Sequence, residues 1–559
     1  MKFSEDFKHP YEFDPKYEKP TAYFSMEFAI DQPLKTYSGG LGFLSGSHMR
    51  SAYELHQNMV GIGILWKYGY YDQVRKGDKT MDVLFQEKIY SFLEDPGIEY
   101  EITVHGHTIK VKAFYLPPGT FGTVPIFFLS TDIPENDYLS QSISHRLYDA
   151  NNITRVAQSI LLGVGGAKLL DILERETEVY HINEAHALPV AFYLYNKYQD
   201  LKEVRKRFVF TTHTPEEAGN EIHDVSLLVK MSYFCETPLE EVRKIAGIEG
   251  ESFNTSLVAL RMARMANAVS KKHGEISNEM WSGYDDICPI IAITNAQNKK
   301  YWADRKLYDA VERNDGKYIL KRKKDLKKKF FELVADQTGK ILDPKVLTIV
   351  WARRFAGYKR ADLITSDEER FERIMTNKEY PIQIVWAGKP YPMDYFAISQ
   401  FDTLVHLNKN YMNSAIMVGY ELHLSRMAKI GSDVWLNTPR VPREASGTSG
   451  MTAAMNGSVN FSTNDGWILE YAKHGVNSFV VPHENGSLPV NKQDQLDATH
   501  LYDILEKEII PMYYNNPEKW AEVVMNSMRD VIPYFDSDRM ADEYYRQLYQ
   551  NVPELVKAL

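Results

Sequence analysis

The sequence predicts an α/β protein with parallel sheets divided between two domains. Three observations predict it. Apolar, β-rich runs alternate with helical patterns along the chain. Loops rich in glycine or arginine sit at four of the strand-to-helix junctions, where α/β sheets bind ligands. The length of 559 residues, with a mass of 64.5 kDa, exceeds what one hydrophobic core fills.

In chain order, the expected strands are AYFSM (22–26), EVYHI (178–182), RFVFTTH (207–213), CPIIAIT (288–294), VLTIVWA (346–352), IQIVWAG (382–388) and SDVWLN (432–437). Between the first two, EITVHGHTIKVKAFYLP alternates apolar and polar residues about a His-Gly-His turn, which predicts a hairpin. His105 and His107 on that turn have no evident third partner, so no metal site is expected. A new strand-and-helix series starts near SGYDDICPIIAITNAQNKK. The expected domains are therefore 1–290 and 291–530, with a terminal helix over 531–559.

Bulk composition narrows the function. Hydrophobic residues make up 44% and charged residues 25%, a globular profile. The net charge of −10 argues against a nucleic-acid partner. KRKKDLKKKF (321–330) is read as a solvated helix face. No run approaches the roughly 20 apolar residues that cross a bilayer, and MKFSEDFKHPYEF lacks a secretion-signal core. The two cysteines, Cys235 and Cys288, form no framework. A cytoplasmic protein with no membrane partner is expected.

Four loops carry candidate chemistry. YSGGLGFLSGSHMR (37–50) places Gly39 and Gly40 before a helix, where backbone N–H groups can approach an anion. WARRFAGYKR (351–360) puts Arg353, Arg354 and Lys359 after a strand, a set suited to a phosphate or diphosphate. FTTHTPEEAGNE (210–221) holds His213 just past a strand end. EASGTSGMTAAMNG (444–457) is a small-residue loop whose hydroxyls and N–H groups suit phosphate, and Glu444 within it suits a sugar hydroxyl. The loops come from both halves of the chain, so the residues alone lead to a cleft enzyme for a sugar phosphate or nucleotide.

Taken in order, YFSMEFAI with YSGGLG, VYHINEAH, FTTHTP with AGNE, NAVSKKHGEIS, ITN, RRFAGYKR, DVWLNTPR, EASGTSGM and NDGW resemble the α-glucan phosphorylases, especially their short bacterial and archaeal type. The resemblance implies two Rossmann-like domains facing across a cleft, the GT-B glycosyltransferase type, with the terminal helix crossing back to the first. It implies that Asn295, Glu444, Ser446 and Gly447 meet the glucosyl hydroxyls. His213 would face the anomeric carbon with its carbonyl, Arg354 and Lys359 would grip the substrate phosphate, and Gly39 and Gly40 would lie beside it. Arg353, Thr448 and Gly450 fall where the family binds the phosphate of pyridoxal phosphate (PLP), and Trp302 near that cofactor. The implied chemistry is retaining glucosyl transfer with a carbohydrate acceptor, helped by electrostatics rather than by a side-chain nucleophile. Family members are often dimers, so a homodimer is an expectation of the resemblance.

One position breaks the pattern. Eight residues after Glu444, where the family has the lysine that forms an imine with PLP, this chain has Thr452. Threonine has no amine, so covalent PLP is not expected. In nucleotide-sugar transferases of the same fold type the equivalent position holds the ribose. The expectation is therefore a PLP-independent hexosyltransferase using a nucleotide-diphosphate sugar, with Thr452 on the ribose. The alternatives are an α-glucan phosphorylase with non-covalent PLP or an engineered Thr452, and an inactive glucan-binding homologue. Ser47, Ala296, Gln297, Asn298 and Gly419 also depart from the family pattern.

Overall fold

The computed structural model describes residues 1–483 and 488–550. The chain forms two compact units. Of the described residues, unit 1 holds 1–70, 85–298 and 537–550, and unit 2 holds 71–84, 299–483 and 488–536.

Unit 1 is built on nine strands: β1 (Thr21–Phe24), β2 (Met59–Ile64), β5 (Glu94–Val104), β6 (His107–Leu116), β7 (Ile126–Ser130), β8 (Val179–Asn183), β9 (Phe208–Thr211), β12 (Met265–Ala268) and β13 (Ile290–Ala292). Strands β3 (Asp72–Arg75) and β4 (Met81–Leu84) belong to unit 2, and β10 (Ile222–Asp224) and β11 (Ser252–Asn254) form a small separate pair. The sheet order is β13-β12-β9-β8-β1-β2-β7-β6-β5, parallel from β13 through β7 and antiparallel at the β7–β6–β5 edge. Strands β1, β2, β7, β8 and β9 are buried along their whole length, as a sheet covered on both faces requires. The β5–β6 hairpin turns at His105 and Gly106, both at positive φ, the geometry a two-residue hairpin needs.

Unit 2 carries a six-stranded, wholly parallel sheet in the order β16-β15-β14-β17-β18-β19. These strands are β14 (Leu347–Ala352), β15 (Ile382–Ala387), β16 (Ser414–Met417), β17 (Val434–Asn437), β18 (Val459–Thr463) and β19 (Ser478–Val481). Both units are thus α/β with large parallel sheets.

Three boundaries differ from those read in the sequence. Residues 291–298 stay with unit 1 because β13 pairs with β12. Residues 531–536 stay with unit 2, as the end of the helix Pro517–Phe535. Residues 71–84 pack with unit 2, because the hairpin spends its polar groups there. Tyr71 donates to Pro390 O (2.8 Å), Gln73 to Gly388 O (2.9 Å), and Asp402 accepts from Met81 N (2.9 Å).

The segment from Ser537 returns to unit 1. Ser537 Oγ meets Ser51 Oγ at 2.6 Å, Tyr549 OH meets His181 Nδ1 at 2.6 Å, and Tyr544 stacks on His48. Residues 551–559 of the expected terminal helix lie outside the described residues. One helical run, 152–172, is long and apolar enough to cross a membrane, but 72% of its apolar window is buried within the protein.

Candidate functional site

In unit 2 the site is assembled at the carboxyl end of the sheet. Arg353 and Arg354 leave β14 in succession, and the pleat sends them to different surroundings. Arg353 is buried, and its Nη2 donates to Glu444 Oε2 at 2.6 Å. Arg354 is exposed and acts on Glu444 through its charge. Lys359, on the turn Gly357–Lys359, places Nζ 3.1 and 3.3 Å from the two Glu444 oxygens. The three cations hold the Glu444 carboxyl down at about 2 against the cost of its burial.

The loop bearing Glu444 is fixed from below by Asp465. Its two oxygens accept from Glu444 N (2.9 Å) and Gly466 N (2.8 Å). Burial, with the neighbouring Glu444 charge, pushes Asp465 up to about 7. Gly466 has φ +60°, and a Cβ there would stand 2.4 Å from Ser446 O, so glycine is required for the loop to close. Gly447 has φ +93° and opens the short helix Thr448–Ala454. Gly450 is held close under Asn460, whose amide donates to its carbonyl at 2.9 Å.

Among the described residues, several buried polar atoms here make no hydrogen bond: Nε and Nη1 of Arg353, and the hydroxyls of Ser446 and Ser449. Such groups are costly unless something satisfies them. Their chemistry, guanidinium plus hydroxyl donors, fits a phosphate.

It does not fit an imine at position 452. Thr452 is 1% exposed, and its hydroxyl donates to Ser449 O within its own helix at 3.0 Å. With that hydrogen spent inside the helix, Thr452 Oγ1 has only its acceptor lone pairs to offer a ribose. Two residues past the end of that helix, the Asn456 amide donates to Thr452 O and to Trp302 O. Trp302 is buried, and the amine of Lys429 lies 4.0 Å from its ring centroid. Lys429 is far from Thr452 in the chain, so local inspection of the sequence around Thr452 missed it.

Unit 1 has its own group at the ends of β8 and β9. His213 follows β9, with Nε2 2.7 Å from Asn183 Oδ1 and its N–H donating to Glu184 Oε2 at 2.8 Å. Burial drives the imidazole down to about 3, so the ring is neutral. Asn295 is buried, and its Oδ1 makes no hydrogen bond among the described residues. Gly39 differs from expectation: its N–H donates to Glu27 Oε2 at 3.0 Å. The same carboxylate accepts from Ser38 N (2.6 Å), Ser38 Oγ (2.9 Å) and Tyr148 OH (2.6 Å). An internal carboxylate thus takes the bond that Gly39 was expected to give an outside anion. Gly40 is exposed and starts the helix Gly40–Glu54.

Asp465, Glu184, Asn183 and Glu27 were missed as site residues, although each lies in a motif already picked out: NDGW, VYHINEAH and YFSMEFAI. Two of the departures pair with one another, since Ser47 Oγ donates to Gln297 Oε1 at 2.9 Å. Gly419 has φ +72°, a conformation that asparagine also tolerates.

A family profile described as carbohydrate phosphorylase matches residues 293–483. A maltodextrin phosphorylase of Thermococcus litoralis is 33% identical over 594 aligned residues, covering 96% of this chain and 71% of the relative. A glycogen phosphorylase of Aquifex aeolicus is 30% identical, covering 97% and 87%. An uncharacterized protein of Methanocaldococcus jannaschii is 47% identical, covering 95% of this chain and all of the relative.

Proposed function

The chain belongs to the carbohydrate phosphorylase family, and from that premise we propose that it is a retaining hexosyltransferase using a nucleotide-diphosphate sugar without covalent PLP. The observation that carries this reading is Thr452, which offers no amine for a cofactor imine while Arg353 and Lys359 stay on Glu444; the charge of the cluster is compatible with it. Arg353, Arg354 and Lys359 surround one carboxylate, Glu444, leaving a surplus of two positive charges when Asp465 is protonated. The diphosphate of a nucleotide sugar brings about two negative charges. A substrate phosphate beside a cofactor phosphate brings roughly three to four, since each carries about −1.5 to −2.

In this reading Arg353, Arg354 and Lys359 hold the diphosphate as its bond to the anomeric carbon breaks, and their fixed positions supply the stabilisation. Glu444, Ser446 and Gly447 orient the glucosyl hydroxyls, with Thr448 and Gly450 shaping the loop beneath them. The resemblance assigns His213 and Asn295 of unit 1 to the sugar as well. With no side-chain nucleophile in the assigned set, the acceptor displaces the diphosphate from the same face. An α-glucan is the acceptor the family resemblance suggests.

A second reading, an α-glucan phosphorylase, is favoured by one observation: the Lys429 amine over Trp302. One set of measurements separates the two. The protein, purified without added cofactor, is titrated by calorimetry with PLP and with UDP-, ADP- and GDP-glucose. Saturable binding of one nucleotide sugar, abolished by Arg354→Ala or Lys359→Ala, is expected. Tight PLP binding, with borohydride fixing it to Lys429 and with glucose-1-phosphate released from maltodextrin and phosphate, would overturn the nucleotide-sugar reading.

A further inference from the structure

The motif VYHINEAH contains a backbone distortion in unit 1. Strand β8 ends at Asn183, and the next residue, Glu184, has φ +69° and ψ 165°. That region is essentially reserved for glycine, and a residue with a side chain stays there only where its surroundings over-determine it. Here they do. The Glu184 N–H donates to Thr211 O at 2.8 Å, which ties the distorted residue to the end of β9. The carboxylate then turns toward the loop after β9, where Oε2 accepts the His213 N–H at 2.8 Å and lies 3.5 Å from the Thr214 hydroxyl.

Asn183 completes the arrangement. Its Oδ1 is 2.7 Å from His213 Nε2, and its own amide donates to Ser45 Oγ (3.0 Å) and Ser25 Oγ (3.3 Å). Two consecutive residues therefore hold the ring and the backbone of His213. On the far side of the loop, His273 Nε2 lies 3.1 Å from Thr214 O. With an ordinary strand backbone at Glu184, successive side chains would point to opposite faces, and the two could not grip one residue together.

We propose that Glu184 is the positioning residue for His213: with Asn183 it clamps the loop, and it does so at full strength only as the carboxylate anion. This rests on the glycosyl-transfer reading, in which His213 serves the sugar. The physical basis is that a hydrogen bond to an ionised acceptor is roughly twice as strong as one to a neutral group. The negative charge also favours positive charge developing nearby.

The groups facing Glu184 decide where it ionises. Burial raises it to about 7, and the negative charge of Glu221 adds to the rise. His213 and His273 are pushed down to about 3 and 4 by burial, and His186 is also lowered, so none of the three supplies a compensating cation at neutral pH. Arg155 lies 3.6 Å from Glu221, and His223 lies 3.7 Å from it on the other oxygen. The clamp is therefore about half-charged near pH 7, complete only about a unit or more above it, and weakened below it.

The test is calorimetric titration of the full-length protein with maltoheptaose from pH 6 to 8.5, comparing wild type with Glu184→Gln and Glu184→Asp. Wild-type affinity is expected to rise about fivefold across this range, if the charged hydrogen bond favours binding about tenfold over the neutral one and Glu184 is already partly ionised at pH 6. Glu184→Gln, similar in shape but uncharged, is expected to stay at the low-pH value throughout, while Glu184→Asp keeps a pH dependence. In glucosyl transfer, Glu184→Gln should lose about 10²-fold in kcat, as for a misplaced reacting geometry. Thermal denaturation adds a readout free of activity. Glu184→Gly should melt above Glu184→Ala, because both lack the carboxylate and only alanine keeps the strain. A Glu184→Gln protein with wild-type maltoheptaose affinity and pH profile overturns the proposal. A pH dependence lost in Glu184→Gln, in a protein that transfers sugar from no nucleotide donor, leaves the clamp standing and removes the transferase reading. No maltoheptaose binding by the wild type at any pH overturns the clamp as a sugar-site device.

Discussion

Glu444→Gln is the most informative single change in unit 2, because it keeps the shape and removes one charge. Glu444 is 11% exposed in its side chain, as is Lys359, and Arg353 is 6% exposed. Removing one partner of such a buried cluster costs about 3–5 kcal/mol, since the cations remain without their counter-ion. The ionisation of Glu444 gives an independent figure. Its value of about 2, against 4.5 for the free side chain, corresponds to about 3 kcal/mol of stability. That contribution is complete above pH 4.5 and is lost as the pH falls through about 2, so an assay at pH 7 sees all of it. For a unit of this size each kcal/mol moves Tm by about 2–4 °C, so Glu444→Gln should lower the melting temperature of unit 2 by roughly 6–20 °C.

The same variant tests the anion site. Pyrophosphate should recover much of the loss, because the freed Arg353 and Lys359 take it as their counter-ion. At a hundred times its Kd the gain is about 2.7 kcal/mol. Differential scanning calorimetry with and without pyrophosphate measures both effects. If Glu444→Gln melts with the wild type and pyrophosphate moves neither, the cluster is solvated rather than buried, and the charge argument for a diphosphate fails with it.

Two further outcomes follow from the packing. Gly466→Ala, with its Cβ 2.4 Å from Ser446 O and 3.1 Å from Glu444 O at a φ of +60°, should cost about 1–3 kcal/mol. It should also weaken nucleotide-sugar binding in calorimetry, because Ser446 and Glu444 must shift. A loss of stability with unchanged binding would detach that loop from the donor. His48 is buried among Tyr23, His181 and Tyr544, with neither ring nitrogen hydrogen-bonded among the described residues. Burial lowers it to about 3, so the unfolded chain binds its proton first, and stability falls by roughly 4–5 kcal/mol as pH drops from 6.5 toward 3. Acid denaturation of His48→Phe should show a shallower slope; an unchanged slope would place the titration elsewhere.

Much of the fold was legible because unbroken apolar runs have few alternatives. All seven runs singled out in the sequence contain strands, and the hairpin over 94–116 has its turn at the His-Gly-His step. Strand β2 was harder to see, because MVGIGI carries two glycines that suggest a loop. The structure gives one reason for them: a Cβ at Gly63 would meet the Phe28 ring at 2.9 Å. The placement of residues 71–84 with unit 2 could not be read at all, since chain order contains no sign of the partners Gly388, Pro390 and Asp402. Within the site, chemistry was legible and geometry was not. The sequence gives Arg353 and Arg354 equal standing, and only the end of β14 separates the buried ligand of Glu444 from the exposed cation. Gly39 has the composition of an anion loop, and only the fold brings Glu27 to it.

These particulars bear on what Thr452 means. A helix that had merely lost its lysine would be left with a void or an unsatisfied group. Thr452 instead closes its own hydrogen bond to Ser449 O, and just past the helix end Asn456 ties Thr452 O to Trp302 O. The clamp beside it is intact, with Arg353 and Lys359 on Glu444 and with guanidinium nitrogens left over. On the proposed reading, the part fitted to hold a phosphate is kept, and only the part fitted to hold a cofactor covalently is gone. A protein that no longer used a phosphate would have no reason to keep Nε and Nη1 of Arg353 buried without a partner, because such groups are costly to bury. The retained arginine and the absent lysine are explained together if the second phosphate now arrives with the donor.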